Sequence, residues 1–260
     1  MSSPRLLADR KREVPSDFDI VAGTYDTLVQ RNPGYMEHLQ LSAQRLELPD
    51  GGRGLRLLDL CCGTGLSTAA LAATYPHAQI VGLDASRGML EVAERKVGLI
   101  RDSVQFVLGD AMDPVAALAT AMNVAAQDVH FDAILMAYGI RNMSDADVCL
   151  DRLLPLLAPG APICFHEYSV ADSPRAKGTW TAVAWGIIIP AGLITSRHSR
   201  IYRYLWRSVM SFDGVKAFEA RLRRHGFTDV RTLPVAGAVK FDFWQDGVLH
   251  SFLARRAATT

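Results

Sequence analysis

Three aspartates and a glycine turn stand where chemistry can be done. The stretch LLDLCCGTGLST, Leu57 to Thr68, runs an apolar strand-like segment through Asp59 into two cysteines and then Gly63-Thr64-Gly65. Two more apolar runs, AQIVGLD and VQFVLGD, end on Asp84 and Asp110. A glycine turn between strand and helix is a nucleotide-loop signal. No Gly-Lys-Ser/Thr follows it, which excludes the lysine-bearing phosphate loop. The dinucleotide fingerprint needs a third glycine, and Thr68 stands in its place. Asp59 also opposes a pyrophosphate at the helix N-terminus, because like charges would meet at close range. A cationic ligand has the opposite preference.

S-adenosylmethionine (SAM) carries an ammonium and a sulfonium that Asp59 helps to balance. Asp84 is placed to accept hydrogen bonds from ribose hydroxyls, and Asp110 to accept from the adenine amino group. A lone aspartate at a strand end is often only a helix N-cap. One acid at each of three successive strand ends beside a Gly-Thr-Gly turn is a more specific pattern. Cys61 and Cys62 lack a neighbouring base that would lower a thiol pKa. They read as small packing residues.

These residues need a frame to hold them. Apolar strand-like and helix-like segments alternate from Leu55 to Ser169, giving five strands with helices between them. Such alternation predicts a doubly wound, mostly parallel sheet, with ligands outside the carboxyl ends of its strands. Helical segments precede it from about Phe18 to Leu46. After Ser169 come about forty helical or irregular residues rich in aromatics, then a helix ending at Gly226 and two strands, FTDVRTLPV and GVLHSFLARR. The last two are expected as an antiparallel edge pair that completes seven strands. Residues 170–211 are expected as a cap over the crevice, and residues 1–16 as a loose basic arm. The whole chain, 1–260, reads as one domain.

Composition narrows the function. The chain has 260 residues, 49% of them apolar, and a formal charge of +1 from 28 basic and 27 acidic side chains. That balance disfavours a nucleic-acid partner. Four cysteines, two of them adjacent, form neither a disulfide framework nor metal-ligand spacing. No metal is expected, and a reduced, cytoplasmic setting fits. The first sixteen residues hold no apolar core of signal-peptide length. The longest apolar run, Thr181 to Ile194, is too short to span a bilayer and carries Pro190.

LLDLCCGTGLST, IVGLDASRGML, VLGDAM and YGIRNMSD resemble the successive motifs of class I SAM-dependent methyltransferases. More narrowly, the chain resembles the ubiquinone/menaquinone biosynthesis C-methyltransferase family. FDIVAGTYD (Phe18 to Asp26) resembles its N-terminal motif, IRN (Ile140 to Asn142) its signature, and IIPAGLITSRHSRIYRYLWRS its cap. The match runs from Phe18 to about Phe227. His166 stands where the family usually has an apolar residue, and the C-terminal segment departs from the family's Gly-Gly and His-Gly pattern.

The resemblance implies a Rossmann-like seven-stranded fold with SAM as cofactor. It implies cofactor contacts at Tyr25, Asp59, Cys61, Gly63, Gly65, Asp84, Ala85, Met89, Asp110, Ala111, Met112 and Ala137. Small side chains at Cys61 and Cys62 let the backbone approach the methionine part of SAM. Arg141, Asn142 and Tyr25 become the catalytic candidates. Within the family the arginine is proposed to act through water in proton removal. Because arginine is almost always protonated, Arg141 is read here as the cation that stabilises a phenolate, with Asn142 orienting a hydroxyl or water. The other reading of Arg141 is an ion pair with Asp145 at i+4. His166 is either a proton acceptor or a buried neutral histidine.

The implied reaction is C-methylation of a lipophilic hydroxylated ring such as a prenylated quinol. O- or N-methylation of another small molecule, and SAM binding without transfer, stay open. Apolar residues beside Arg197, Arg200, Arg203 and Arg207 suit a peripheral membrane contact, or a plain amphipathic lid. A homodimer is compatible with these features.

Overall fold

The computed structural model describes residues 19, 34–98, 102–196, 199–235 and 242–258. Helix α1 (Tyr35–Gln44) precedes strand β1 (Arg56–Leu60). Helix α2 (Leu66–Thr74) leads to β2 (Gln79–Asp84), and α3 (Arg87–Ala93) to β3 (Val104–Leu108). Then come α4 (Val115–Met122), β4 (Ala133–Ala137), α5 (Ala146–Leu153) and β5 (Pro162–Tyr168). The seven-stranded sheet has the order β3-β2-β1-β4-β5-β7-β6, where β6 is Phe227–Pro234 and β7 is Leu249–Arg256. The first five strands are parallel, and β7 runs antiparallel to both β5 and β6. The final pair is thus the antiparallel edge expected from the sequence.

β4 and β5 are buried along their whole lengths, which is why they read as continuous apolar runs rather than alternations. Leu58 pairs with Val81 on one side and Ile134 on the other, so β1 is central. Chain order reverses across β1 and β4. Their following loops leave in opposite directions and open a crevice at the carboxyl edge. Two backbone features shape that edge. Gly65 takes φ 82 at the N-cap of α2. A Cβ at Gly139, after β4, would come within 2.7 Å of Met136 and 3.0 Å of Cys61.

The segment after β5 is helical. α6 (Pro174–Val183) continues through a wide turn (Ala184–Ile188) into α7 (Ile189–Ser196), and α8 (Ser199–Ser211) follows. Pro190 sits in the first turn of α7, where a missing N–H costs little. Trp180 of α6 is fully buried, and its indole meets the Tyr168 ring with centroids 4.8 Å apart. This contact seats the helices on the end of β5. Helix α9 (Val215–Arg224) then buries Phe218 and Leu222 against the sheet. Among the described residues, no helix is long and apolar enough to cross a membrane.

Candidate active site

A cavity of about 430 Å³ opens at the crevice, within the ~300–1,000 Å³ range of small-molecule sites. The loop after β1 contributes Cys61, Gly63 and Thr64. The ends of β2 and β3 contribute Asp84, Ala85, Asp110, Ala111 and Met112, and α3 adds Met89. Ala137, Tyr138, Gly139, Arg141 and Asn142 come from the end of β4 and the turn after it, and Tyr35 and Leu39 from α1. The Asp84 carboxylate accepts the Gly63 N–H at 2.9 Å and the Ser86 N–H at 2.9 Å, so it ties the glycine turn to α3. Asp110 accepts the Met112 N–H at 2.8 Å. Among the described residues, no group of three or more His, Cys, Asp or Glu side chains could hold a metal.

Two residues read from the sequence as cofactor contacts do not line the cavity. Asp59 is fully buried beneath the loop, where one carboxylate oxygen accepts from Ser67 Oγ at 2.7 Å and Thr68 Oγ1 at 2.6 Å. Burial raises its pKa to about 7. Its position makes it a brace for the start of α2, while its second oxygen, Oδ1, is buried without a hydrogen-bond partner among the described residues. Gly65 also lies outside the lining, since its φ turns the chain into α2 and its Cα faces Ala93. Cys61, at φ 62, and the buried Cys62 both line the cavity. Burial pushes both thiols well above their usual pKa, as packing residues require.

Arg141 departs most from expectation. It is 6% exposed, and its Nη1 donates to Glu167 at 2.5 Å. The same nitrogen donates to Tyr138 O at 3.0 Å, and Nε reaches Ser208 Oγ on α8 at 3.3 Å. Asp145, the partner offered by i+4 spacing, instead caps α5 by accepting from the amides of Asp147 and Val148. Burial pushes the Glu167 carboxyl up and Arg141 pulls it down. The Arg141 charge is therefore matched by a carboxylate at the wall of the cavity that it lines. Asn142 donates to Tyr138 O at 3.0 Å and accepts from the Tyr204 hydroxyl of α8 at 3.1 Å. Both residues of the turn are thus tied to α8.

Tyr25 and the first sixteen residues lie outside the described residues. Of the N-terminal motif, Asp19 is described: its carboxylate accepts from Ser86 Oγ at 2.5 Å and the Gly88 N–H at 3.0 Å, at the start of α3. Sequence reading passed over Glu167 and Tyr138. An acid inside an apolar strand, with an arginine in the loop beside it, was the available signal for Glu167. Tyr138 holds φ 57, a backbone that costs a bulky residue free energy and clusters at functional sites. His166 is fully buried, and burial lowers its pKa to about 3, so it is neutral.

A parallel sheet that reverses at β1/β4, with a glycine turn and acidic strand ends around one cavity, defines the Rossmann-like fold of class I methyltransferases. The model of the ubiE/COQ5 methyltransferase family matches residues 7–242. The chain belongs to that family. The demethylmenaquinone methyltransferase of Clavibacter sepedonicus is 31% identical over 225 residues, 86% of either chain. Among solved structures, the [4+2]-cyclase SpnF superposes with a TM-score of 0.63 at 19% identity, covering 96% of this chain and 97% of that one. The CurJ carbon methyltransferase gives 0.61 at 16% identity over 91% of this chain, which spans 59% of that one. These structural likenesses show the fold.

Proposed function

We propose that this enzyme transfers a methyl group from SAM to a ring carbon of a lipophilic hydroxylated acceptor, such as a prenylated quinol. One observation carries the reading. A single cavity joins the acidic strand ends Asp84 and Asp110 to the Arg141–Asn142 turn, which is roofed by α8. SAM fits the first half. Asp84 takes the ribose, Asp110 the adenine amino group, and the Cys61–Gly63 backbone the methionine part, with Ala85, Met89, Ala111, Met112 and Ala137 around them. The acceptor fits the second half, beneath residues 170–211 as a cap. The name of the Clavibacter relative supports a quinone-type ring.

Methyl transfer from a sulfonium cancels charge between cation and nucleophile. It needs alignment and exclusion of water more than a strong acid. Ionising a ring hydroxyl moves electron density onto the neighbouring carbon. That carbon attacks the methyl group, the C–S bond breaks, and the ring carbon then loses its proton. The cap also exposes Trp185, Ile187, Leu193 and Ile194, and α8 exposes Arg200, Arg203 and Arg207. Apolar side chains beside arginines suit an anionic membrane surface from which such a substrate enters. The experiment is methyl transfer from isotope-labelled SAM to prenylated naphthoquinols and benzoquinols, with products resolved by mass spectrometry and NMR. A new ring-carbon methyl is expected. Methyl ethers or amines alone, or no transfer, would overturn the proposal.

A further inference from the structure

A hydrogen-bonded chain reaches the acceptor half of the cavity and has no part in the account above. His166 Nε2 lies 2.9 Å from the Tyr138 hydroxyl, and Nδ1 lies 2.7 Å from Ser42 Oγ on α1. Ser42 Oγ meets Ser251 Oγ of β7 at 2.7 Å. Arg45 Nη1, one turn further along α1, donates to that same Ser251 oxygen at 2.7 Å. A guanidinium is thus linked through two hydroxyls and an imidazole to a phenol on the cavity wall.

The direction of these bonds follows from the charge at one end. Arg45 can only donate. Its positive charge turns each hydroxyl oxygen toward it and each hydroxyl proton away. Ser251 then donates to Ser42, and Ser42 donates to Nδ1. A neutral imidazole that accepts at Nδ1 carries its proton on Nε2. That N–H donates to the Tyr138 oxygen, so the proton of Tyr138 is turned away from His166 and toward the other acceptors beside its ring. Tyr168 is the other hydroxyl against this phenol, with ring centroids 5.1 Å apart, and its oxygen is the acceptor for the Tyr138 proton that an acceptor oxygen in the cavity must displace. Tyr35 and Glu167 also face Tyr138, and Cys164 lies beside the serines as a protonated thiol. The nearby cation, Arg141, is matched by Glu167.

We propose that Tyr138 donates a hydrogen bond to the ionised ring oxygen of the acceptor, and that His166 and Ser42 are positioning residues that orient its proton. The proposal rests on the hydroxylated-ring reading. A donor aimed at an oxygen that becomes negative stabilises the reactive phenolate more than the phenol. Such a charge-assisted bond lowers the ionisation threshold of the acceptor within the site.

The test uses the full chain saturated with S-adenosylhomocysteine and 4-nitro-1-naphthol, whose anion is coloured, as a ring probe. Titrating the bound probe gives its ionisation constant without any methyl transfer. The wild type is expected to favour the anion by about 10-fold over free probe, the scale of one charge-assisted hydrogen bond. Tyr138→Phe is expected to abolish that gain, and His166→Leu and Ser42→Ala to remove most of it. In quinol turnover, Tyr138→Phe is expected to lower kcat by about 10-fold at low pH and to recover as pH rises and the acceptor ionises unaided. Calorimetry with S-adenosylhomocysteine reports folding of each variant. Should Tyr138→Phe lose that affinity, Ser42→Ala, whose side chain lies away from the cavity, carries the test. An unchanged ionisation constant in a folded Tyr138→Phe variant would overturn the proposal. A loss confined to Tyr138→Phe, with the other two like the wild type, would overturn the positioning roles. A wild type that binds no ring probe and methylates no hydroxylated ring would overturn the underlying reading, and this proposal with it.

Discussion

Replacing Arg141 by Met should unfold this protein more easily by about 3–5 kcal/mol, the cost of leaving one member of a buried ion pair behind. The magnitude follows from the geometry. At 2.5 Å, and with an effective dielectric constant of about 20, the Arg141–Glu167 attraction is about 7 kcal/mol. Desolvating each ion costs several kcal/mol, so the pair as a whole is near balance. Removing Arg141 deletes the attraction and leaves a fully buried carboxylate. The loss depends on pH. Without Arg141 the folded-state pKa of Glu167 rises further above its unfolded value. Its contribution is then present below the unfolded pKa and lost as pH climbs through the folded one. Urea unfolding should show a small penalty near pH ~5 and a larger one near pH ~8. The double variant Arg141→Met/Glu167→Leu should recover most of the stability at both pH values. A single-variant loss under about 1 kcal/mol, or one independent of pH, would refute a buried charged pair. A stable double variant whose turnover collapses while its SAM affinity holds would show that Arg141 does act on the acceptor.

Asp84→Ala should weaken SAM binding by about 1–3 kcal/mol in calorimetry, since it removes charge-assisted hydrogen bonds and unties the Gly63 amide; undiminished affinity would move the cofactor elsewhere. Vesicle sedimentation should carry the protein down with anionic lipid and less with neutral lipid, and Arg200/Arg203/Arg207→Gln should abolish the difference. Equal recovery in the supernatant under all conditions would reduce the cap to a lid and favour a soluble acceptor.

The architecture was legible because it is written in local pattern. Continuous apolar runs between helix-forming segments specify parallel strands, and the two C-terminal runs specify the antiparallel edge. The acids at strand ends were legible for the same reason: a residue that ends a strand sits at the carboxyl edge whatever the rest of the chain does. What the sequence hid depends on pairings across long separations. Glu167 is 26 residues from Arg141, Ser42 is 124 from His166, and Ser251 is 209 from Ser42. No periodicity announces such partners. Asp59 shows the opposite failure. Its place at the end of β1 was read correctly, but whether its carboxylate faced the cavity or the start of α2 was settled by two hydroxyls, Ser67 and Thr68, that sequence inspection treats as ordinary helix residues.

Arg141 and Asp59 both brace the scaffold around the cavity. Arg141 holds the end of β5 and α8 together, and Asp59 anchors the start of α2. Charges so placed fix geometry, which is what a charge-cancelling methyl transfer needs most. On the proposal made above, discrimination among acceptors falls to a neutral donor on the wall, Tyr138, whose orientation is set by what lies behind it. Behind Tyr138 lies His166, and behind His166 a serine of α1. A chain with an apolar residue at the position of His166 would leave the Tyr138 proton free to turn. It would present the same cavity with a weaker preference for an ionised ring.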